Sequence, residues 1–152
     1  MTIPKKTKYR FQFIIPYQQG GINNFHYLPA KGNQEIKWGK YGLQAQRGAE
    51  ITEQQIEAVR KVISRYTKKF MVGKLKPWKI NIYPHTSKTK KPLEVRMGSG
   101  KGSVDKWKAV VKVGTVMFEL SDKVPKDIAY TALEQANYKL GVKGSKIIER
   151  HE

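Results

Sequence analysis

Gly98, Gly100 and Gly102 alternate behind four cations, Lys88, Lys90, Lys91 and Arg96, and Lys101 sits among them. Glycines so spaced accept positive φ and let a backbone approach a partner with no Cβ in the way, while the flanking cations require an anionic neighbour. The simplest is phosphate. Two nucleotide-binding motifs are excluded by spacing. A P-loop needs G-x-x-x-x-G-K-[ST], but Gly102 follows Lys101, and the fingerprint G-x-G-x-x-G fails because Ser103 stands in the place of its last glycine. Residues 88–108 therefore read as a loop built to lie against a polyanion.

The whole chain carries the same signal. Of its 152 residues, 30 are Lys or Arg and 12 are Asp or Glu, a formal net charge of +18. Such an excess repels itself in the compact state unless a partner supplies negative charge, and nucleic acid is the usual polyanion. No run reaches the roughly 18 apolar residues of a membrane span, and no basic amphipathic helix stands alone, so a membrane span is not expected. Cysteine is absent, which excludes disulfides, thiolate metal sites and thiol nucleophiles. His26, His85 and His151 lie far apart without metal-ligand spacing, and neither a metal nor a cofactor is expected. Residues 1–10 are basic, and no apolar core of a signal peptide follows them. An RNA-modifying enzyme needs an acid–base pair, a metal or a cofactor cradle; Glu94 is the one acid of residues 88–102 and only His85 lies near it, so no enzyme is expected.

The elements that must hold the loop follow from hydrophobic spacing. Residues 2–10, with Lys5, Lys6, Lys8 and Arg10 and no acid, read as an extended basic arm that orders on RNA, Tyr9 being able to stack on a base. In residues 11–34 the only formally charged residue is Lys31, while Phe11, Phe13, Ile14, Ile15, Tyr17, Phe25, Tyr27 and Leu28 are interleaved with polar and turn residues. That stretch is expected to pack on the domain or on a neighbouring protein. Strands are expected at 36–38 and 43–46. Thr52 and Gln55 form a capping box, and Ile56, Val59, Ile63, Tyr66 and Phe70 recur at helical spacing, which predicts a helix over 53–69. Residues 78–83 alternate as a half-buried strand, and 107–113 with 116–120 flank Gly114-Thr115 as a β-hairpin. Pro125 opens a second helix lined by Ile128, Ala129, Ala132, Leu133, Ala136 and Leu140 and closed by Gly141, and 145–150 adds an edge strand. The expected fold is α+β: two amphipathic helices on one face of a mixed or antiparallel sheet, with a long basic glycine-rich loop and an extended N-terminal arm. Residues 1–34 form the arm and its uncharged aromatic extension; residues 35–152 form a single RNA-binding domain. Phosphate contacts are expected from Lys5, Lys6, Lys8, Arg10, Lys40, Arg60, Lys88, Lys90, Lys91, Arg96, Lys101 and Lys106. Tyr41 and Trp107 are candidates for stacking, with core packing the favoured role for both.

Five motifs carry a family resemblance. Pro4-Lys5-Lys6-Thr7-Lys8-Tyr9-Arg10, Gly39-Lys40-Tyr41-Gly42-Leu43-Gln44-Ala45, Thr52-Glu53-Gln54-Gln55-Ile56-Glu57-Ala58, Trp78-Lys79-Ile80-Asn81-Ile82-Tyr83-Pro84 and Lys91-Pro92-Leu93-Glu94-Val95-Arg96-Met97-Gly98-Ser99-Gly100-Lys101-Gly102 follow one another in order. Their order and spacing resemble the bacterial-type large-subunit ribosomal protein L sixteen family over nearly all of residues 39–140. The resemblance implies an α+β sandwich bound to large-subunit rRNA near the base of the central protuberance. It also implies neighbouring large-subunit proteins as partners, contact with A-site and P-site tRNA, tRNA positioning and a role in late subunit assembly. The basic arm and the loop Arg96, Met97, Gly98, Ser99, Gly100, Lys101 and Gly102 would point toward the peptidyl-transferase region. Ser99 stands where the family repeats lysine, His85 where an acid is usual, and residues 11–34 where the family has a short basic segment. The alternative is a free RNA-binding translation factor or RNA chaperone, which would not co-sediment with large subunits. Lysine outnumbers arginine 24 to six, and with the 11–34 stretch this points to an AT-rich organellar genome, mitochondrion before plastid, the cytoplasm of an AT-rich bacterium being the alternative.

Overall fold

The computed structural model describes residues 29–98, 100–142 and 144–150. Thr52 opens the first helix, α1 (Glu53–Thr67), through the capping box read in the sequence: the Gln55 amide donates to the Thr52 hydroxyl at 3.4 Å, and the Thr52 amide donates to the Gln55 side chain at 2.8 Å. The helix buries Ile56, Val59 and Ile63, and a 3-10 turn, Lys68–Phe70, extends it. The second helix, α2 (Lys126–Leu140), buries Ala129, Ala132, Leu133, Ala136 and Leu140 and ends on Gly141 at φ 63°, the left-handed conformation a glycine cap supplies. Its three alanines let α1 pack close against it, and Gln55 Nε2 donates across to the Leu140 carbonyl at 2.9 Å.

The strands divide into two antiparallel sheets. The larger runs β3-β6-β1-β7, with β1 Tyr41–Ala45, β3 Trp78–Ile80, β6 Val116–Leu120 and β7 Ser145–Glu149. The smaller runs β2-β5-β4, with β2 Ala49–Thr52, β4 Thr86–Lys90 and β5 Ser103–Val111. α2 lies on β1 and β7, and α1 on β2 and β5. All five residues of β6 are buried, which suits a strand between two others with both faces covered.

Three sequence expectations need correction. The hairpin over Gly114-Thr115 does not form, because β5 joins β2 and β4 whereas β6 enters the other sheet between β1 and β3. The glycine turn docks on the end of β1 instead: Gly114 N–H donates to Ala45 O at 2.7 Å, and Ala45 N–H to Thr115 O at 3.0 Å. Residues 36–38 are not a strand. They are held by Glu119, a carboxylate 1% exposed that accepts from the Lys37, Trp38 and Gly39 amides at 3.5, 2.8 and 3.0 Å and from Asn81 Nδ2 at 2.6 Å. Gly39 permits this approach, since a Cβ there would lie 2.2 Å from Leu120 O. Finally, residues 86–90, read as part of a loop, form β4. Residues 29–34 lie on the domain, with Ala30 N–H donating to Val113 O at 2.9 Å and Val116 N–H to Asn33 O at 2.7 Å.

Candidate nucleic-acid interface

β4 and β5 turn the basic stretch into a hairpin with a projecting tip. Ser87 pairs with Trp107 on the inner face, beside buried Ala109 and Val111, so alternation turns Lys88, Lys106 and Lys108 outward. Lys88 lies directly across from Lys106. Cβ atoms of facing residues are about 4.5–5.5 Å apart, a spacing at which like charges destabilise the pair. Lys108 is relieved by Glu50 on β2, at 2.6 Å. Among the described residues, no ion pair relieves Lys88 or Lys106. The irregularity between Lys88 and Thr89 precedes Lys90, which is exposed at the hairpin's neck.

The three glycines do different work. Gly98 at φ 114° and Gly100 at φ 82° have positive φ with nothing within 4 Å of a built Cβ, so their backbone is open to a partner. Gly102 is not: its Cβ would lie 2.6 Å from Lys90 O. The chain uses that third glycine to close its own hairpin neck, a correction to the reading of all three as a partner-facing set. Within the tip, Val95 N–H donates to Pro92 O at 3.4 Å and the Lys91 ammonium to Gly98 O. Arg96 and Lys101 are exposed, as are Leu93 at 94% and Met97 at 99%.

The structure brings together Lys88, Lys90, Lys91, Arg96, Lys101 and Lys106 and leaves two candidates elsewhere. Lys40 is exposed beside β1 on the other sheet, its amide bonded to Leu120 O at 2.8 Å. Arg60 lies on α1, where Nε donates to both Glu57 carboxylate oxygens at 2.8 and 2.9 Å. That hydrogen bond is the main cause holding the Glu57 carboxyl below its ordinary range. Tyr41 is core, edge-on to Tyr130 with centroids 6.0 Å apart, and Trp107 is half-buried on the inner face. Lys5, Lys6, Lys8, Tyr9, Arg10 and Ser99 lie outside the described residues. Sequence reasoning missed Glu119, whose only local signal is an acid inside an otherwise apolar run, Val-Met-Phe-Glu-Leu.

Among the described residues, no group of acids and histidines could hold a metal ion, and no helix is long and apolar enough to cross a membrane. A family profile described as ribosomal protein L16p/L10e matches residues 4–147. The chain belongs to that family. Among relatives, the large ribosomal subunit protein uL16 of Spiroplasma kunkelii is 48% identical over 100% of this chain and 99% of its own length. The same protein of Malacoplasma penetrans is 47% identical over 100% of this chain and 97% of its own length, and that of Macrococcus caseolyticus 48% over 100% and 94%. Membership of the L16p/L10e family gives the chain a structural role in the ribosome, not an enzymatic one. These relatives are bacterial and do not support the organellar origin expected from composition; an AT-rich bacterial genome yields the same lysine bias.

Proposed function

We propose that the protein is a constituent of the large ribosomal subunit that binds rRNA through the outer face of the β4–β5 hairpin and through its N-terminal arm. The observation that carries this reading is Lys88 facing Lys106 across an antiparallel pair. A protein that acted alone would gain by replacing either lysine, whereas a phosphate backbone laid over the pair turns repulsion into two favourable contacts. The exposed tip, with Arg96, Met97, Gly98, Gly100 and Lys101, projects beyond that face and, by family likeness, approaches A-site and P-site tRNA and supports late subunit assembly. Ser99 completes the tRNA-proximal loop, and Gly102 closes the neck behind it. Lys5, Lys6, Lys8, Tyr9 and Arg10 extend the rRNA contact, and Lys40 with Arg60 adds to it from the domain. Residues 1–34 act as the arm and 35–152 as the rRNA-binding domain, in the cytoplasm of a bacterium.

The test is sedimentation of the tagged full chain through magnesium gradients. The parent protein is expected to run with large subunits, and Lys88→Glu with Lys106→Glu is expected to run mostly free while its melting temperature holds. If the parent itself runs free, a translation factor or RNA chaperone replaces this reading.

A further inference from the structure

A second surface, remote in sequence from the hairpin, combines apolar exposure with positive charge. After the 3-10 turn, Leu75 N–H donates to Val72 O at 3.0 Å, a tight turn that leaves Val72 59% and Leu75 71% exposed. With Phe70, Pro77 and Trp38, itself 46% exposed, they line an open cleft of about 370 Å³ beside β3, the edge of the larger sheet. Lys76 and Lys123 also line it, Lys74 stands exposed in the turn between Val72 and Leu75, and Asp122 is the single acid of the lining. Asp122 accepts from Ser121 Oγ at 2.7 Å, and no salt bridge among the described residues engages Lys74, Lys76 or Lys123. Residues 58–93 contain no Asp or Glu at all.

We infer that this cleft seats an unpaired RNA nucleotide, its base against Trp38 and Leu75 and its phosphates at Lys74, Lys76 and Lys123. The inference rests on the RNA-binding reading above and assigns to it a second, independent contact. An occupant must present a flat apolar face and negative charge within one small group, and a looped-out nucleotide does both. A continuous duplex offers phosphates alone and would leave Val72, Leu75 and Trp38 in water. The Trp38 main chain is set in place before binding, because its amide donates to the buried Glu119 carboxylate at 2.8 Å, so only side-chain torsions are ordered on association. The cleft volume of about 370 Å³ lies at the small end of ligand sites, which run from about 300 to 1,000 Å³.

The experiment measures binding of labelled oligoadenylate and oligouridylate decamers to the full-length protein across a salt series. Leu75→Ser, and separately Val72→Ser, is expected to weaken binding by roughly 5-fold or more, because each takes apolar surface from the seat of the base, with an unchanged salt slope. Lys74→Gln with Lys76→Gln is expected to make the slope shallower by about 1.4 units, at about 0.7 per phosphate contact to a single strand. Leu75 and Val72 are solvent-facing, so these changes spare the fold, and melting curves verify it. The inference is overturned if both serine variants bind the decamers as the parent does, or if polyglutamate, an acidic chain without a stacking face, displaces the decamers equally well. If hairpin variants still lose rRNA in that case, the cleft alone is withdrawn; if neither set alters RNA binding, the functional proposal falls with it.

Discussion

β6 and β4 are both short strands in antiparallel sheets, and they are stabilised in opposite ways. β6 lies between β1 and β3 with every residue buried, and its one charge, Glu119, has four donors. β4 lies at the edge of the smaller sheet, buries only Ser87, and faces Lys106 with Lys88. The first arrangement is complete within the chain. The second leaves electrostatic repulsion that no ion pair among the described residues relieves. A charge thus marks internal architecture where its partners are near and a missing partner where they are not.

The contrast breaks most severely at Glu119. Glu119→Ala strands three backbone amides and Asn81 Nδ2, and is expected to cost about 3–5 kcal/mol in denaturant unfolding. Burial alone pushes the Glu119 carboxyl up, but hydrogen bonds from Asn81 and the Trp38, Gly39 and Lys37 amides outweigh it and hold the carboxyl below its ordinary range. With the folded value depressed, its contribution is complete above the unfolded value of about 4.3 and is lost as pH falls through the folded one. Glu119→Gln should therefore flatten the acid limb of stability against pH.

Two glycines give the next largest effect. Gly39→Ala meets Leu120 O at 2.2 Å and is expected to lower global stability by about 1–3 kcal/mol. Gly102→Ala meets Lys90 O at 2.6 Å, but its strain stays local, so faster hydrogen exchange in β4 with little change in global unfolding is expected. Replacing Lys88 and Lys106 by threonine should reverse the sign: the free protein gains about 0.2–1 kcal/mol, while duplex rRNA binding loses about 1.8 units of salt slope, at about 0.9 per contact. The smallest change is Arg60→Ala, which removes a helix pair worth about 0.2–0.5 kcal/mol and, if Arg60 also reaches phosphate, shifts the salt slope as well.

Much of this architecture is legible in the residues, because α1, α2 and their caps rest on local spacing. Thr52 and Gln55 lie three apart, and Gly141 follows the last buried leucine of α2. What escapes notice depends on partners distant in sequence. β4 reads Thr-Ser-Lys-Thr-Lys, with no apolar residue to mark it, and becomes a strand only because β5 supplies its hydrogen bonds. The 107–120 hairpin fails for the converse reason. Its turn is locally sound, but β6 is buried on both faces and lies between β1 and β3 in the other sheet, away from β5. Within the candidate interface, composition identified the cations, whereas only the fold showed that Lys88 meets Lys106 and that Gly102 differs in purpose from Gly98 and Gly100.

The closure at Gly102 makes the tip a cassette. Because the two strands are clasped at Lys90, residues 91–101 can change length or chemistry without disturbing the register behind them. Evolution, or an engineer exchanging tips between relatives, can thus retune what the probe touches while the lysine-bearing stem keeps its address.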